Sequence, residues 1–154
     1  MYSAQVQKFA DIQNEIAEIL PVHYEELALN KEHVPLDFDY DKYLTIEENG
    51  GLFVATVRLY NELIGYYLGF IAPELHYAST TSCMTDIFYV LKQHRRDGAG
   101  KLLFSTVERE LKNMGIQRWF VSIKDHNKAG AEAMMKAMEF KQIETTFSKW
   151  IGEP

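Results

Sequence analysis

The strongest constraint on the fold is a change of pattern in the middle of the chain. Met84–Val90 is a β-branched and aromatic run broken by one aspartate, Asp86. It leads through His94-Arg95-Arg96-Asp97-Gly98-Ala99-Gly100-Lys101 into Leu103, Val107, Leu111 and Met114, which keep helical spacing up to Gly115. A strand-period segment feeding a helix-period segment through glycines reads as strand, tight loop and helix. The start of such a helix has N–H groups without intrahelical acceptors and a partial positive charge. Glycines let the backbone approach a ligand without a Cβ clash. Together these features make a cradle for an anion. Lys92, Arg95, Arg96 and Lys101 outnumber Asp97 four to one here. Cations beside a helix N-terminus oppose its dipole by roughly 0.3–1 kcal/mol each. A bound polyphosphate would remove that conflict. The plainer alternative is a solvated basic turn with a capping glycine.

The flanking segments suggest what surrounds this unit. Ser3–Leu20 carries Val6, Phe9, Ile12, Ile16, Ile19 and Leu20 in steps of three and four, which predicts an amphipathic helix stopped at Pro21. A short helix is expected over Tyr24–Asn30 and a loop over Pro35–Asp41. Leu52–Tyr60 and Leu63–Ile71 predict a hairpin about Asn61-Glu62, ended by Pro73. Arg118–Ile123 predicts a strand, Ala129–Met138 a helix and Thr145–Ile151 a last strand. This order implies an α/β or α+β domain, a mixed sheet covered by helices.

Without repeats or linkers, 154 residues predict one domain, 1–154, large enough for one core. A net charge of −6 argues against coating nucleic acid or an anionic membrane by bulk charge. Cys83 is the single cysteine, so no intramolecular disulfide is expected, and a buried inert thiol is its simplest reading. No run approaches the ~18 apolar residues of a membrane span, and no apolar leader core accompanies Lys8 and Asp11. The expected location is cytoplasmic.

Two familiar phosphate loops do not fit. Lys101 is followed by Leu102 rather than Ser or Thr, and Arg95 stands where a P-loop has its first glycine. The dinucleotide fingerprint would need a third glycine at Leu103. Arg95-x-x-Gly98-x-Gly100, five residues past Val90, resembles the R/Q-x-x-G-x-G/A signature of the GNAT superfamily of acetyl-CoA-dependent N-acetyltransferases. The resemblance covers roughly Leu52 to Ile151. The block Leu20–Asn30 is similar to the small phage-encoded branch of that superfamily.

The resemblance implies a mostly antiparallel sheet flanked by helices, with its central strands splayed. It also implies acetyl-CoA as acyl donor and no metal. The loop amides of Arg95, Arg96, Asp97, Gly98, Ala99, Gly100 and Lys101 would hold the CoA diphosphate. Backbone groups of Phe88 and Val90 would pair with the pantetheine arm, and the Phe88 N–H would polarise the thioester carbonyl. Asn127 would contact the same arm.

The family's usual tyrosine acid falls at Met134 or Met135, and the usual glycine before the closing Phe140 is Glu139. The thiolate would then leave unassisted, which a thiol pKa near 8.5 tolerates, or with Tyr89 as substitute acid. Asp86 is the first choice of general base. An aspartate inside an apolar strand is costly unless paired or functional. Strand alternation places it at the same parity as Phe88 and Val90. Glu74 and His76 are minor candidates for the acceptor side.

Tyr24–Glu48 holds eight carboxylates against Lys31 and Lys42, a local balance equal to the net charge of the whole chain. This suits a cationic small-molecule amine or a basic protein segment, and equally a solvated acidic loop. Tyr24, Phe38, Tyr40 and Tyr43 add aromatic surface for core packing or an acceptor platform. The histidines lack a metal-ligand spacing. Many family members dimerise, so a homodimer is an expectation too. The rival reading is a GNAT-fold binding protein, such as a phage effector that acts on a host partner without catalysis.

Overall fold

A computed structural model describes residues 1–153. It holds two compact units, Met1–Leu20 with Phe38–Ser122, and Pro21–Asp37 with the residues from Ile123 on.

In the first unit, β1 (Tyr2–Val6), β2 (Leu52–Leu59), β3 (Glu62–Pro73), β4 (Thr81–Val90) and β5 (Arg118–Phe120) form one sheet in that order. Every neighbouring pair is antiparallel except β4 and β5. The expected hairpin is β2–β3, and the expected mixed, mostly antiparallel sheet is present. β3 is central and buried from Leu63 to Gly69, which accounts for its continuous apolar reading.

Each face of the sheet has its own helices. The helix α3 (Ala99–Asn113) buries Ala99, Leu103, Phe104, Thr106, Val107 and Leu111. Phe104 meets Tyr67 and Phe88 edge-on, which fixes the face that α3 covers. On the other face Tyr43 stacks with Phe9, Phe38 and Phe70.

The amino-terminal region differs from expectation. Residues 2–6 are strand, paired from Tyr2↔Leu59 to Val6↔Ala55, and the helix α1 (Phe9–Leu27) begins only at Phe9. Val6 and Phe9 fit helical spacing, but the open edge of β2 offers a ladder, and pairing outweighs a weak local preference. Two orphan donors of α1, the N–H groups of Phe9 and Ala10, find the Glu47 carboxylate. Nor does Pro21 stop the helix. It lies inside α1 and forfeits one backbone bond there, and no separate helix covers Tyr24–Asn30.

The helix α2 (Tyr40–Glu48) occupies a segment for which no helix was expected beyond the Pro35–Asp41 loop. Asp39 caps it, accepting from the Lys42 N–H at 3.0 Å.

The second unit contains a 3-10 turn over Asp125–Asn127 and the helix α4 (Lys128–Ala137). His33 stacks on Trp150 at 4.6 Å, and the Tyr24 hydroxyl donates to the Val34 carbonyl at 2.6 Å. The strand expected over Thr145–Ile151 is absent, with Phe147 90% and Ile151 87% exposed. Alternation alone does not make a strand, because its polar backbone needs a neighbour.

Candidate active site

The site grows from a defect in β4. On one side β4 pairs with β3 as far as Val90↔Gly65. Leu68 opposes Ile87 while Gly69 opposes Thr85, so Asp86 is an extra residue, a β-bulge. On the other side β4 pairs with β5 only at Ser82, Cys83 and Met84. From Thr85 to Val90 that second edge has no ladder partner among the described residues. The central strands therefore part beside the bulge, and beyond it no strand runs along the second edge of β4.

The bulge corrects the parity read from the sequence. Asp86 and Phe88 do not share a face. The Phe88 ring lies 5.0 Å from Phe104 on the α3 side, whereas Asp86 turns to α2 and accepts a hydrogen bond from the Tyr43 hydroxyl. Burial raises the Asp86 carboxyl above the usual carboxylate range, and the Tyr43 bond opposes that rise. Burial also drives the Tyr43 phenol upward, the Asp86 bond adding to it, so Tyr43 stays a donor. A carboxylate held this way binds its proton more tightly than an exposed aspartate does. Nothing in the local sequence marks Tyr43 as its partner, because the two lie 43 residues apart.

At the end of β4 the chain makes a 3-10 turn, Lys92–Asp97, and reaches Gly98 at φ 88°. That conformation favours glycine, and a Cβ there would meet no other atom, so the requirement is conformational rather than spatial. Gly98 precedes the first turn of α3 without a side-chain cap. The N–H groups of Ala99, Gly100 and Lys101 thus begin the helix.

Arg95 turns back on the strand. Its Nε donates to the Val90 carbonyl at 2.8 Å, and its guanidinium lies 5.0 Å from the centre of the Tyr89 ring. Tyr89 itself is 2% exposed and faces Tyr66. The Tyr2 hydroxyl reaches His94 Nδ1 at 3.0 Å and donates to Asp97 Oδ2 at 3.3 Å, which ties β1 to the turn. Arg96 and Lys101 are exposed.

The structure thus gathers Asp86, Phe88, Tyr89, Val90 and the loop 95–101 into the first unit, while Asn127, Met134 and Met135 belong to the second. Asn127 is the residue before α4, with no side-chain cap bond. Met134 and Met135 are half-buried in α4. Glu139 has φ 65°, the backbone of the glycine it replaces. Glu74 pairs with Arg118 at 3.0 Å. Cys83 is fully buried, as expected. Of the eight carboxylates in Tyr24–Glu48, Asp39 and Glu47 cap helices and Glu25 pairs with Lys31.

A family model described as "Acetyltransferase (GNAT) family" matches residues 10–140. The chain belongs to the GNAT acetyltransferase family. Solved structures carry the same fold. An aminoglycoside acetyltransferase, meta-AAC0020, from an uncultured soil metagenomic sample superposes with a TM-score of 0.75 at 12% identity, covering 99% of this chain and 97% of that one. A ribosomal-protein-alanine N-acetyltransferase from Brucella melitensis biovar Abortus 2308 gives 0.71 at 13%, covering 99% and 100%. Glucosamine-6-phosphate N-acetyltransferase from Arabidopsis thaliana gives 0.69 at 12%, covering 99% of each. No curated protein matches the sequence. GNAT acetyltransferases are acyltransferases that use acetyl-CoA as donor. The splayed β4–β5 pair of this chain is the GNAT arrangement expected from the signature loop.

Proposed function

We propose that this GNAT protein transfers acetyl from acetyl-CoA to a primary amine by direct attack within a ternary complex. One observation carries the reading: the unpaired edge of β4 begins at the bulge and runs straight into the Gly98 loop. The edge suits an extended amide-bearing arm, and the loop suits a diphosphate.

In this reading the amides from Arg95 through Arg96, Asp97, Gly98, Ala99 and Gly100 to Lys101 hold the diphosphate. Phe88 and Val90 pair with the pantetheine arm. The Val90 carbonyl already accepts from Arg95, so the guanidinium fixes the loop to the strand. The Phe88 N–H polarises the thioester carbonyl and steadies the oxyanion. Asp86 takes the proton that the ammonium must lose, directly or through one water. The amine nitrogen then bonds to the acetyl carbon, the tetrahedral intermediate collapses, and the C–S bond breaks. The electron pair leaves on CoA sulfur, and the thiolate takes up, by way of solvent, the extra proton that the amide nitrogen gives up. Tyr89 is assigned to supporting the loop beneath Arg95, because its buried ring faces Tyr66.

A cationic amine is the preferred acceptor class. The Asp86 carboxylate and the acidic excess of Tyr24–Glu48 favour it. A second reading, a GNAT-fold protein that binds a partner without catalysis, draws on Met134 and Met135, neither of which can donate a proton.

Calorimetry with acetyl-CoA tests the donor. Binding should be present in the wild type and lost in Gly98→Trp, and a wild type that fails to bind overturns the proposal. Release of free thiol in the presence of candidate amines separates catalysis from mere binding. Activity that survives in Asp86→Ala would remove the base assignment and leave the fold standing.

A further inference from the structure

We propose that Trp119, Tyr67 and Thr85 form a pin that fixes where β4 and β5 part, making them positioning residues for the thioester site. The inference rests on the acetyl-CoA reading above for its consequence, but not for its geometry. Trp119 is on β5 and pairs with Cys83 on β4. Its indole N–H donates to the Tyr67 hydroxyl on β3 at 2.8 Å and reaches Thr85 Oγ1 on β4 at 3.3 Å. The Tyr67 hydroxyl and Thr85 Oγ1 share a further bond at 2.7 Å, and Cys83 Sγ lies 3.4 Å from the same hydroxyl. Three strands are thus joined through side chains on the α3 face.

The position of this network is the argument. The β4–β5 ladder ends at Met84↔Phe120, and Asp86 is the bulged residue. Thr85, the only residue between them, is bound by the network. The other attachments of β5 to β4, a three-residue parallel ladder and the Gln117–Thr81 bonds, all lie on the far side of Thr85 from the fork. The strand β3 is built to admit the hydroxyl. A Cβ at Gly69 would stand 2.6 Å from Cys83 Sγ and 2.9 Å from the Tyr67 hydroxyl oxygen. Gly69 therefore keeps open the space in which the polar groups meet. Tyr67 is fully buried and Trp119 stacks on Phe104 at 5.5 Å, so the rings cannot swing away to satisfy their polar atoms in water.

The pin has a functional consequence because the thioester would sit one step beyond it. A shift of the strand fork moves the Phe88 N–H relative to the carbonyl it must polarise, and such positioning is sensitive at the scale of 1 Å.

Thr85→Val deletes the hydroxyl at nearly constant volume, Trp119→Phe deletes the indole N–H together with part of the ring system, and Thr85→Ser keeps the hydroxyl. Thr85→Val and Trp119→Phe should weaken acetyl-CoA binding by about tenfold, about 1.4 kcal/mol. They should also raise KM for acetyl-CoA and lower kcat, with KM for the amine unchanged. Thr85→Ser should stay within about twofold of wild type. Ile16→Val, a core truncation in α1, provides a variant that loses stability without touching the fork. Wild-type affinity in Thr85→Val and Trp119→Phe, despite lower melting temperatures like that of Ile16→Val, overturns the positioning role.

Amide hydrogen exchange tests the pin apart from any ligand. Trp119 and Phe120 amides should exchange at least about tenfold faster in Thr85→Val than in Thr85→Ser. Equal rates overturn the pin itself. If wild type binds no acetyl-CoA while this exchange difference is seen, the proposed activity fails and the pin stands.

Discussion

At Asp86 a single carboxylate meets two opposing influences. Burial raises its proton affinity, and the Tyr43 hydroxyl lowers it by donating to the charged form. The base proposed above works deprotonated, so kcat/KM should fall as pH falls through the Asp86 value, at a pH above that of an ordinary aspartate. Tyr43→Phe removes the stabilising donor and should move this acid limb to still higher pH in a pH–rate profile. Asp86→Asn should lose about 10²–10⁴-fold in kcat/KM. The folded state binds the Asp86 proton more tightly than the unfolded chain does, so the native fold loses stability as pH rises through the folded value. Asp86→Asn should therefore melt higher than wild type at neutral pH while being less active. Glu139 is the second informative residue. The Phe140 and Glu139 amides bond back to the Met135 and Lys136 carbonyls, and α3 ends the same way around Gly115. Glycine occupies the left-handed position in α3 and glutamate occupies it in α4, at φ 65°. Glu139→Gly should raise stability by about 0.5–1 kcal/mol, measured by urea denaturation.

Among the elements, α1 and α2 show how a distant residue decides a boundary. The amino end of α1 has no side chain of its own positioned as a cap, and Glu47 of α2 supplies the acceptor for Phe9 and Ala10. The negative charge also suits the helix dipole. Glu47→Ala should cost about 1–2 kcal/mol in urea denaturation, and Glu47→Gln less. This cap lies 38 residues from the helix it serves, so local spacing points to a helix from Ser3 although α1 begins at Phe9. By contrast, β2–β3, β4 and α3 were legible because their periodicity is dense and their ends carry Asn61, Pro73, Gly98 and Gly115. The last strand was misread for the converse reason: Ile143, Thr145, Phe147 and Ile151 have the alternation of a strand, and in the structure no neighbour pairs with them.

At the level of the molecule, the donor site should report itself through stability. A ligand present at 100 times its dissociation constant stabilises the fold that binds it by about 2.7 kcal/mol. For a chain of 154 residues that corresponds to roughly 5–10 °C in melting temperature. Acetyl-CoA should produce this shift in a thermal scan of the wild type and not of Gly98→Trp. The GNAT signature loop, the helix that follows it and the mixed sheet are written in the order of residues, since these depend on local spacing and on glycines at positions where other side chains strain. Asp86 too stands out there as an unusual strand residue. Which face Asp86 occupies, that Tyr43 is its partner, and that Trp119, Tyr67 and Thr85 gather at the strand fork emerge only when the chain is folded. Each of those outcomes turns on one inserted residue in a ladder, or on atoms joined across tens of residues, and no periodicity along the chain records such contacts.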